Sequence, residues 1–401
     1  MNLITAPLGA IVFLATLGTF AVSPPAVLPP AVLAAAPVVS AAAPELCKAR
    51  SSVVGSPSPG QVSNHLSGVV SFAARNAWAV GAATDAVGNP PMLVSSALVV
   101  HWNGAAWSPV VSPMLAGGAA LASITALSPD NMWAVGHQGS SAAGTPLVEH
   151  WNGSQWSVVP SPVVDQGYLL GVSGGRADDI WAVGIRLGVT SYTLIEHWNG
   201  AVWKVVPSPN PSVDYNEIDS VTVTSQDSAW AVGFSLVNNV SVPIITRWDG
   251  SRWKVVKAPS TAFANSLLRG VAAASERDVW AVGQSRSDDG SQVQTLVEHW
   301  NGQRWTVVAS PSPVSQSWLT GVAVSGGHVW AAGVRVDGFT NHTLVLHGGE
   351  GSLSAVSSPN RGLDSNSLEA IAATPDGGAW AVGGDQGVNN GESLVLSMCS
   401  R

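Results

Sequence analysis

The chain has 401 residues, of which 46% are hydrophobic and only 10% are charged, and its formal net charge is −8 at pH 7. The negative charge is spread along the chain, and there is no stripe of basic residues, which argues against nucleic acid as a partner. Glycine, proline, valine and tryptophan are abundant, and no long segment carries a 3.6-residue apolar period. These features are typical of an all-β globular protein.

The chain begins with an uncharged leader. Residues 2–44 contain no Asp, Glu, Lys or Arg, and an apolar run covers 8–22. A proline-rich stretch and small residues follow, which predicts an export signal and a Pro/Ala-rich linker over residues 1–42, with cleavage near Ala36 or Ala42. An uncleaved anchor is the alternative, although about 15 apolar residues are short for a membrane span. We therefore expect a secreted or cell-surface location.

A tetrapeptide, Trp-Ala-Val-Gly, organises the rest of the chain. Its seven copies, one of which has Ala in place of Val, begin at Trp78, Trp133, Trp181, Trp230, Trp280, Trp330 and Trp380. A period of about 50 residues is typical of repeat architectures. It predicts one repeat domain over residues 43–401.

Each unit predicts four short strands, named A to D in chain order. In the fifth unit, strands A, B, C and D cover residues 268–274, 279–283, 294–300 and 304–308. Asn301-Gly302 between strands C and D predicts a two-residue type I′ hairpin, because both central residues of that turn need positive φ. Such a turn would make Trp300 and Trp305 diagonal neighbours on one face. Four antiparallel strands per unit correspond to one blade of a β-propeller.

The side-chain pattern predicts how the blades stack. In strand B, Trp280 and Val282 share one face, and Ala281 and Gly283 share the other. The bulky face of each blade would then pack on the small face of the next, so that seven units fill a closed ring. All but one of the 18 tryptophans recur at fixed positions of the repeat, which indicates packing rather than ligand binding. The exception is Trp318.

The two ends of the chain predict how the ring closes. The last unit stops after strand C, and the segment 51–59 near the N-terminus matches strand D of the other units. The N-terminal strand should therefore complete the seventh blade and hide a sheet edge. Cys47 and Cys399 both align with the Asn of the Asn-Gly turn, which predicts a disulfide where that turn is interrupted. The alternative is two unpaired thiols.

The repeat resembles those of secreted bacterial β-propellers of the Asp-box (BNR-like) and kelch-like groups. The segment His150-Trp151-Asn152-Gly153-Ser154-Gln155-Trp156 is similar to a shortened Asp box without its leading Ser or Thr. The resemblance covers about residues 47–401 and implies the propeller fold. Propellers of this kind include sialidases, other glycosidases, lectins and assembly factors, so the resemblance does not select an activity.

Two positions around the start of strand A vary from unit to unit, whereas their neighbours are mostly Leu, Ile and Gly. The first position reads His65, Ala120, Tyr168, Glu217, Leu267, Trp318 and Ser367. The second reads Ser67, Ala122, Leu170, Asp219, Arg269, Thr320 and Glu369. Variation inside a regular repeat marks positions that are free from packing, here near the expected mouth of the central channel. The candidate binding residues are Tyr168, Tyr215, Glu217, Asp219, Arg269, Trp318 and Glu369.

Each of these candidates has a structural alternative. Asp219 and Arg269 occupy equivalent places in adjacent blades, so they predict an ion pair that belongs either to a site or to a solvated channel mouth. Tyr168 and Trp318 are either surface aromatics for a sugar or lids on the core.

An enzymatic site is the alternative to a binding site. A sialidase-like site needs three convergent arginines and a tyrosine nucleophile assisted by a glutamate, for which the candidates are Arg186, Arg269, Arg335, Tyr215 and Glu217. A two-carboxylate glycosidase would use Glu217 and Glu369. The sequence shows no Ser-His-Asp order, zinc spacing, phosphate loop or dinucleotide fingerprint. We therefore predict no catalytic residue, no metal ligand and no cofactor.

The sequence as a whole favours an exported, monomeric and non-catalytic binding protein. Its expected partner is carbohydrate or a cell-surface protein, recognised by the face that the D–A and B–C loops form. A glycoside-acting hydrolase with its site at the channel mouth is the alternative. We expect no stable membrane insertion once the signal has been removed.

Overall fold

A computed structural model of the protein describes residues 51–89, 91–140, 143–386 and 391–399. In chain order the first strands are β1 (Ser51–Val53), β2 (Ser63–Ala73), β3 (Asn76–Val87), β4 (Met92–Trp102), β5 (Trp107–Pro109), β6 (Ala119–Ser128), β7 (Asn131–Gln138), β8 (Thr145–Trp151), β9 (Trp156–Val158), β10 (Gly167–Arg176), β11 (Asp179–Arg186), β12 (Tyr192–Trp198), β13 (Trp203–Val205) and β14 (Tyr215–Ser225). They are followed by β15 (Ser228–Val237), β16 (Val240–Trp248), β17 (Trp253–Val256), β18 (Asn265–Ser275), β19 (Asp278–Arg286), β20 (Val293–Trp300), β21 (Trp305–Val307), β22 (Ser317–Ser325), β23 (His328–Asp337), β24 (Thr340–Gly348), β25 (Leu353–Val356), β26 (Ser365–Ala373), β27 (Ala379–Gln386) and β28 (Ser393–Met398).

These strands form seven antiparallel sheets of four strands each, one sheet per sequence repeat. Six sheets contain four consecutive strands, from β2-β3-β4-β5 to β22-β23-β24-β25. The seventh has the order β1-β28-β27-β26, so the strand nearest the N-terminus lies at its edge. The all-β, seven-bladed propeller that the repeat predicts is thus confirmed.

The ring closes where the two ends of the chain meet. Ser51 of β1 pairs with Met398 of β28, which is the register that Trp203 and Trp198 have in the third blade. The N-terminal strand therefore replaces strand D of the seventh blade, as the sequence predicts. Cys399 directly follows Met398, whereas Cys47 lies outside the described residues, as does the leader at 1–42. The disulfide, the export segment and its boundary remain predictions.

The hairpin between strands C and D differs from the expected type I′ turn. Trp300 and Trp305 are direct partners rather than diagonal neighbours, and four residues separate them. Asn301 Oδ1 accepts hydrogen bonds from the backbone N–H groups of Gln303 and Arg304, both at 3.1 Å. Of Asn301 and Gly302, only the glycine has positive φ. The side chain of Asn thus holds this turn, because it offers an acceptor to the backbone two and three residues further on.

Tryptophans fill the interfaces between neighbouring blades. In five interfaces the strand-B tryptophan of one blade meets the two hairpin tryptophans of the next, with ring centroids 4.8 to 6.3 Å apart. The contact with the strand-D ring is edge-to-face, which is a favoured aromatic geometry worth about 0.5–1.5 kcal/mol beyond burial. Trp280 instead packs with Leu353, and Trp330 with Met398. The bulky face of each blade therefore packs on the small face of the next, as predicted.

The repeated histidine of strand C also has a packing role. In five blades its ring stacks on the strand-B tryptophan of the same blade, with centroids 4.0 to 4.3 Å apart. Its Nε2 hydrogen-bonds to the residue two positions before that tryptophan, as between His197 and Asp179 at 2.8 Å. In the fourth blade Arg247 takes this place and lies 5.2 Å above the Trp230 ring.

The innermost strand of every blade carries a β-bulge at the same position. At this position of each A–B ladder a strand-A residue has no partner in strand B, and these seven residues are Ser67, Ala122, Leu170, Asp219, Arg269, Thr320 and Glu369. The glycine of the repeated tetrapeptide lies opposite the bulge. A Cβ on that glycine would meet a strand-A carbonyl oxygen at 1.9 to 2.1 Å in all seven blades. Only glycine fits, since the bulge presses the two backbones together.

Three glutamates are buried between blades at the position before the repeated histidine. Glu149 and Glu196 accept hydrogen bonds from Ser112 and Ser161 of the preceding blade, with shortest distances of 2.8 and 2.5 Å. Burial raises the pKa of each of these two carboxyls to about 7, although the hydroxyl bond lowers it. Glu298 has no hydrogen-bond partner, and burial raises its pKa to about 8. The blade before Glu298 has Ala258 at the position that Ser112 and Ser161 occupy in the other two interfaces, so the hydroxyl donor is missing there.

We expect Gly136→Ala to destabilise the protein, because its Cβ would lie 2.0 Å from the carbonyl oxygen of Ala120. The backbone must move, and the unfolding free energy should fall by about 3 kcal/mol. Gly351→Ala is the matched control, since a Cβ there meets nothing within 4 Å. Denaturant unfolding measures both variants. Equal stability of the two would contradict the proposed role of the glycine.

We expect Glu298→Gln to stabilise the protein increasingly as the pH rises. The folded-state pKa lies above the unfolded value, so protonation favours the folded state at low pH. That contribution is lost between about pH 4.5 and 8, at up to about 1.4 kcal/mol per pH unit. Glutamine does not titrate and keeps the shape. Thermal unfolding against pH checks this, with Glu149→Gln as the control whose gain should level off near pH 7. A gain independent of pH would contradict the assignment.

Candidate functional site

The seven bulge residues line the central channel. With the two residues that follow each of them, they enclose a throat of about 210 Å³. Five of the seven carry polar or charged side chains in consecutive blades of the ring, namely Asp219, Arg269, Thr320, Glu369 and Ser67, while the other two are Ala122 and Leu170. The bulge explains this placement, because its extra residue is released from the ladder and the local strand direction changes. The second of the two variable sequence positions is therefore the channel lining.

A wider cavity of about 400 Å³ lies at one end of the throat. Its lining residues are His65, Ser67, Ala122, Arg269, Gln284, Trp318, Thr320 and Glu369. Five of these also line the throat, so the mouth and the throat are one continuous space. Polar side chains surround one large aromatic ring here, which is the composition typical of a ligand site that fixes the orientation of its ligand.

Trp318 is the aromatic residue of the mouth. It lies near the start of β22, is half-buried, and pairs with Val334 of β23. Among the tryptophans of the described residues, it alone stands outside the repeated blade interfaces. Its indole borders the mouth and is only partly covered by the surrounding residues.

Four side chains of the fourth and fifth blades form a partly buried polar cluster, in which the two carboxylates are the most buried members. Arg269 Nη1 lies 2.6 Å from Asp219 Oδ1 and 3.3 Å from Glu217 Oε1. The hydroxyl of Tyr215 donates to the other oxygen of Glu217. The guanidinium of Arg269 lies 5.2 Å above the ring of Phe234. The ion pair between Asp219 and Arg269 that the sequence suggests is thus present, and it also engages Glu217.

Burial controls the protonation of this cluster. It raises the pKa of Asp219 well above its usual range, and the charge of Glu217 raises it further, while Arg269 opposes both effects. The pKa of Tyr215 is also raised, first by burial and then by its bond to Glu217. Burial alone would lower the pKa of Arg269, but Asp219 and Glu217 outweigh it and raise that pKa. A side-chain hydrogen bond between Asp219 and Glu217 also raises the pKa of Asp219.

The remaining predicted residues separate into two groups. Glu369 lines both the throat and the mouth, and its carboxylate lies 3.8 Å from Nε2 of His65. Tyr168 is buried, its hydroxyl accepts a hydrogen bond from the backbone N–H of Gly144 at 3.1 Å, and its ring packs on His137. Tyr168 therefore covers the core, which is the structural alternative that the sequence left open.

Of the residues considered for hydrolysis, Tyr215, Glu217 and Arg269 come together in the polar cluster, whereas the other two arginines do not join them there. Arg186 is exposed at the end of β11, and Arg335 lies in β23 three blades away. Within the described residues, neither lines the throat or the mouth. Glu369 borders the cavity, whereas Glu217 is held by Tyr215 and Arg269. In the part of the chain that the structure describes, no three His, Cys, Asp or Glu side chains are grouped as a metal site.

Two residues of the site were not among the predicted ones, namely Gln284, which lines the mouth, and Phe234, which lies under Arg269. Both directly follow the glycine of the tetrapeptide. This position also varies between blades, reading Ala82, His137, Ile185, Phe234, Gln284, Val334 and Gly384. The variation is visible in the sequence, but the regular Trp-Ala-Val-Gly pattern of strand B indicates packing and hides it.

No protein-family model and no curated protein sequence matches the chain. Several solved β-propeller structures are similar to it. YCF48 bound to D1 peptide has 12% identity and a TM-score of 0.54, over 88% of this chain and 98% of that one. An ulvan lyase, a polysaccharide lyase solved with a GlcA(1-4)Rha3S ligand, has 10% identity and a TM-score of 0.57, over 86% and 96%.

The extracellular domain of a putative hybrid two-component system from B. thetaiotaomicron has 10% identity and a TM-score of 0.53. That match covers 87% of this chain but 39% of the other. At these identities the similarity shows the fold alone. The chain is a seven-bladed β-propeller, and its function has to be argued from its own site.

Proposed function

We propose that this protein is a non-catalytic binding protein that recognises carbohydrate at the mouth of its central channel. The observation that carries the proposal is the position of Trp318. Its half-buried indole does not occupy one of the repeated packing positions, and it lines a cavity of about 400 Å³. This volume lies in the range of about 300–1,000 Å³ that is typical of small-ligand sites. An aromatic ring bordered by polar groups matches a sugar, which has one apolar face and a rim of hydroxyls.

The polar groups of the mouth support the same proposal. Gln284 offers both a donor and an acceptor, and Glu369 and His65 add an acceptor and a titratable ring. Sugar hydroxyls both donate and accept, so a mixed set of this kind fixes their orientation. The single hydroxyl proton of Thr320 is already taken up by two carbonyl oxygens, those of Leu368 at 2.7 Å and Ala332 at 3.1 Å, so the side chain is left with its acceptor capacity.

The positions of the two candidate carboxylates favour non-catalytic binding over hydrolysis. A two-carboxylate mechanism needs both groups beside the same glycosidic bond. Only Glu369 of the proposed pair borders the mouth, while Glu217 makes its hydrogen bonds inside the polar cluster. Turnover of a bound glycan would overturn the non-catalytic assignment.

The cellular location of the protein and the disulfide that would close its ring are also part of the proposal. The uncharged leader supports export and a secreted or cell-surface site of action for a monomer. In the described part of the chain, no helix is long and apolar enough to cross a bilayer. The pairing of Ser51 with Met398 supports a Cys47–Cys399 bridge, since it brings the two chain ends together. A bridge closing so long a loop would add up to about 5 kcal/mol.

Mass spectrometry of the protein recovered outside the producing cells tests both features. We expect a mature N-terminus near residue 43 and a non-reduced peptide that joins Cys47 to Cys399. An intact leader would contradict cleavage, and alkylation of both thiols without prior reduction would contradict the bridge.

Binding to a glycan array, followed by titration of the best ligand, tests the proposed function. We expect Trp318→Ala to weaken binding about tenfold, the effect of about 1.4 kcal/mol, because the stacking surface is lost. Phe339→Ala is the matched control, since this ring is fully exposed in the β23–β24 turn of the same blade and lies outside the cavity. Thermal unfolding establishes that both variants fold. Absence of any glycan ligand would overturn the proposal and favour a peptide or protein partner.

A further inference from the structure

Five blades surround the mouth of the channel. Its lining residues come from the first, second, fifth, sixth and seventh blades, and they include His65 of the first and Trp318 of the sixth. All seven blades contribute to the throat that continues from it. A groove that holds an internal segment of a long ligand is open at two ends, whereas a space inside a ring of blades is reached along the ring axis. The shape of the mouth therefore limits which part of a glycan can enter it.

Buried side chains fill the sector of the ring that belongs to the third and fourth blades. Within the described residues, neither of these blades contributes to the lining of the mouth. At the first variable position they carry Tyr168 and Glu217, which are only 8% and 9% exposed. The ring of Tyr168 packs on His137, and Glu217 is held by Tyr215 and Arg269. This sector is a wall, so it offers no second exit beside the mouth.

The space beneath the indole of Trp318 is shallow. Trp318 comes two residues before Thr320 in β22, and Thr320 belongs to the ring of seven bulge residues that forms the throat. At about 3.3 Å per residue, Trp318 lies about 7 Å above that ring along the strand. This depth is comparable to the width of a single pyranose ring. A sugar stacked on Trp318 would therefore have its inner edge at the throat and its outer edge at the opening.

We propose that the mouth recognises the end of a glycan chain, as one terminal sugar stacked on Trp318, rather than an internal segment. This inference rests on the proposed carbohydrate function and names the part of the ligand that is bound. A terminal sugar is joined to its chain by one glycosidic bond, which leaves through the opening. An internal sugar has a second such bond, and its chain would have to thread the throat or cross the wall of the third and fourth blades.

The experiment counts the protein molecules that bind to each chain of a linear glycan. Its probes are the best linear ligand of the array as a trisaccharide, and a polymer of the same sugar and linkage that is longer than several protein diameters. We expect calorimetric titration of the wild-type protein to give one protein per chain for both probes. Their Kd values per chain should agree within about threefold, because both probes present the same single end.

A variant that fills the mouth tests where the chain end lies. Ala122→Phe adds a large ring to the space that the mouth and the throat share, and it should weaken the binding of both probes at least about tenfold. Ala105→Phe is the matched control, since Ala105 is exposed in the β4–β5 turn and lies outside the cavity. Its binding should equal that of the wild-type protein. Thermal unfolding establishes that both variants fold.

The outcomes distinguish the two proposals. Several protein molecules on each polymer chain, or a Kd per chain that falls in proportion to chain length, would overturn recognition of the chain end and leave carbohydrate binding intact. Unchanged binding by a folded Ala122→Phe variant would place the glycan outside the mouth and also overturn the inference. Failure of every glycan, including those of the array, would overturn both proposals. The stoichiometry needs only the wild-type protein, so it decides the inference even if Ala122→Phe does not fold.

Discussion

The close contact between two backbones in every blade is the constraint on which both the ring and its channel depend. A bulge in the innermost strand presses a carbonyl oxygen against the glycine of the repeated tetrapeptide, which has no side chain to resist it. The same bulge releases one residue per blade from the ladder, and that residue then lines the channel. The seven equivalent bulges therefore create a ring of seven positions whose side chains are not needed for packing.

The blade interfaces hold that ring closed. Edge-to-face tryptophans bury large apolar surfaces between blades. Each blade packs only on the blade before it and the blade after it. Stability in such an array is approximately a sum of repeat and interface contributions. Leu353 lies where the other blades have the strand-D tryptophan, and it packs in the same core cluster as Trp280. By contrast, the loss of one serine hydroxyl leaves the buried carboxyl of Glu298 without a partner.

The candidate site combines positions that the repeat leaves free. Trp318 supplies an aromatic surface, Gln284 and Thr320 supply neutral polar groups, and Glu369 and Arg269 supply one ionisable group of each sign. The propellers of known structure share the architecture at 10–12% identity, and the ligands in their structures belong to those proteins. The chemistry of this mouth depends on residues that vary between its own blades.

The sequence by itself determined the number of blades, the order of the strands, the stacking of bulky on small faces and the closure by the N-terminal strand. These features depend on local periodicity and on a repeat that can be aligned with itself. It also located the channel-lining position, because Asp219, Arg269 and Glu369 interrupt an otherwise regular pattern. Only the tertiary structure decided that Tyr168 is a lid, that Gln284 borders the mouth, and that the Asn-Gly turn is a four-residue loop. Those outcomes depend on contacts between residues about 25 or more positions apart and on backbone angles, which a linear pattern does not contain.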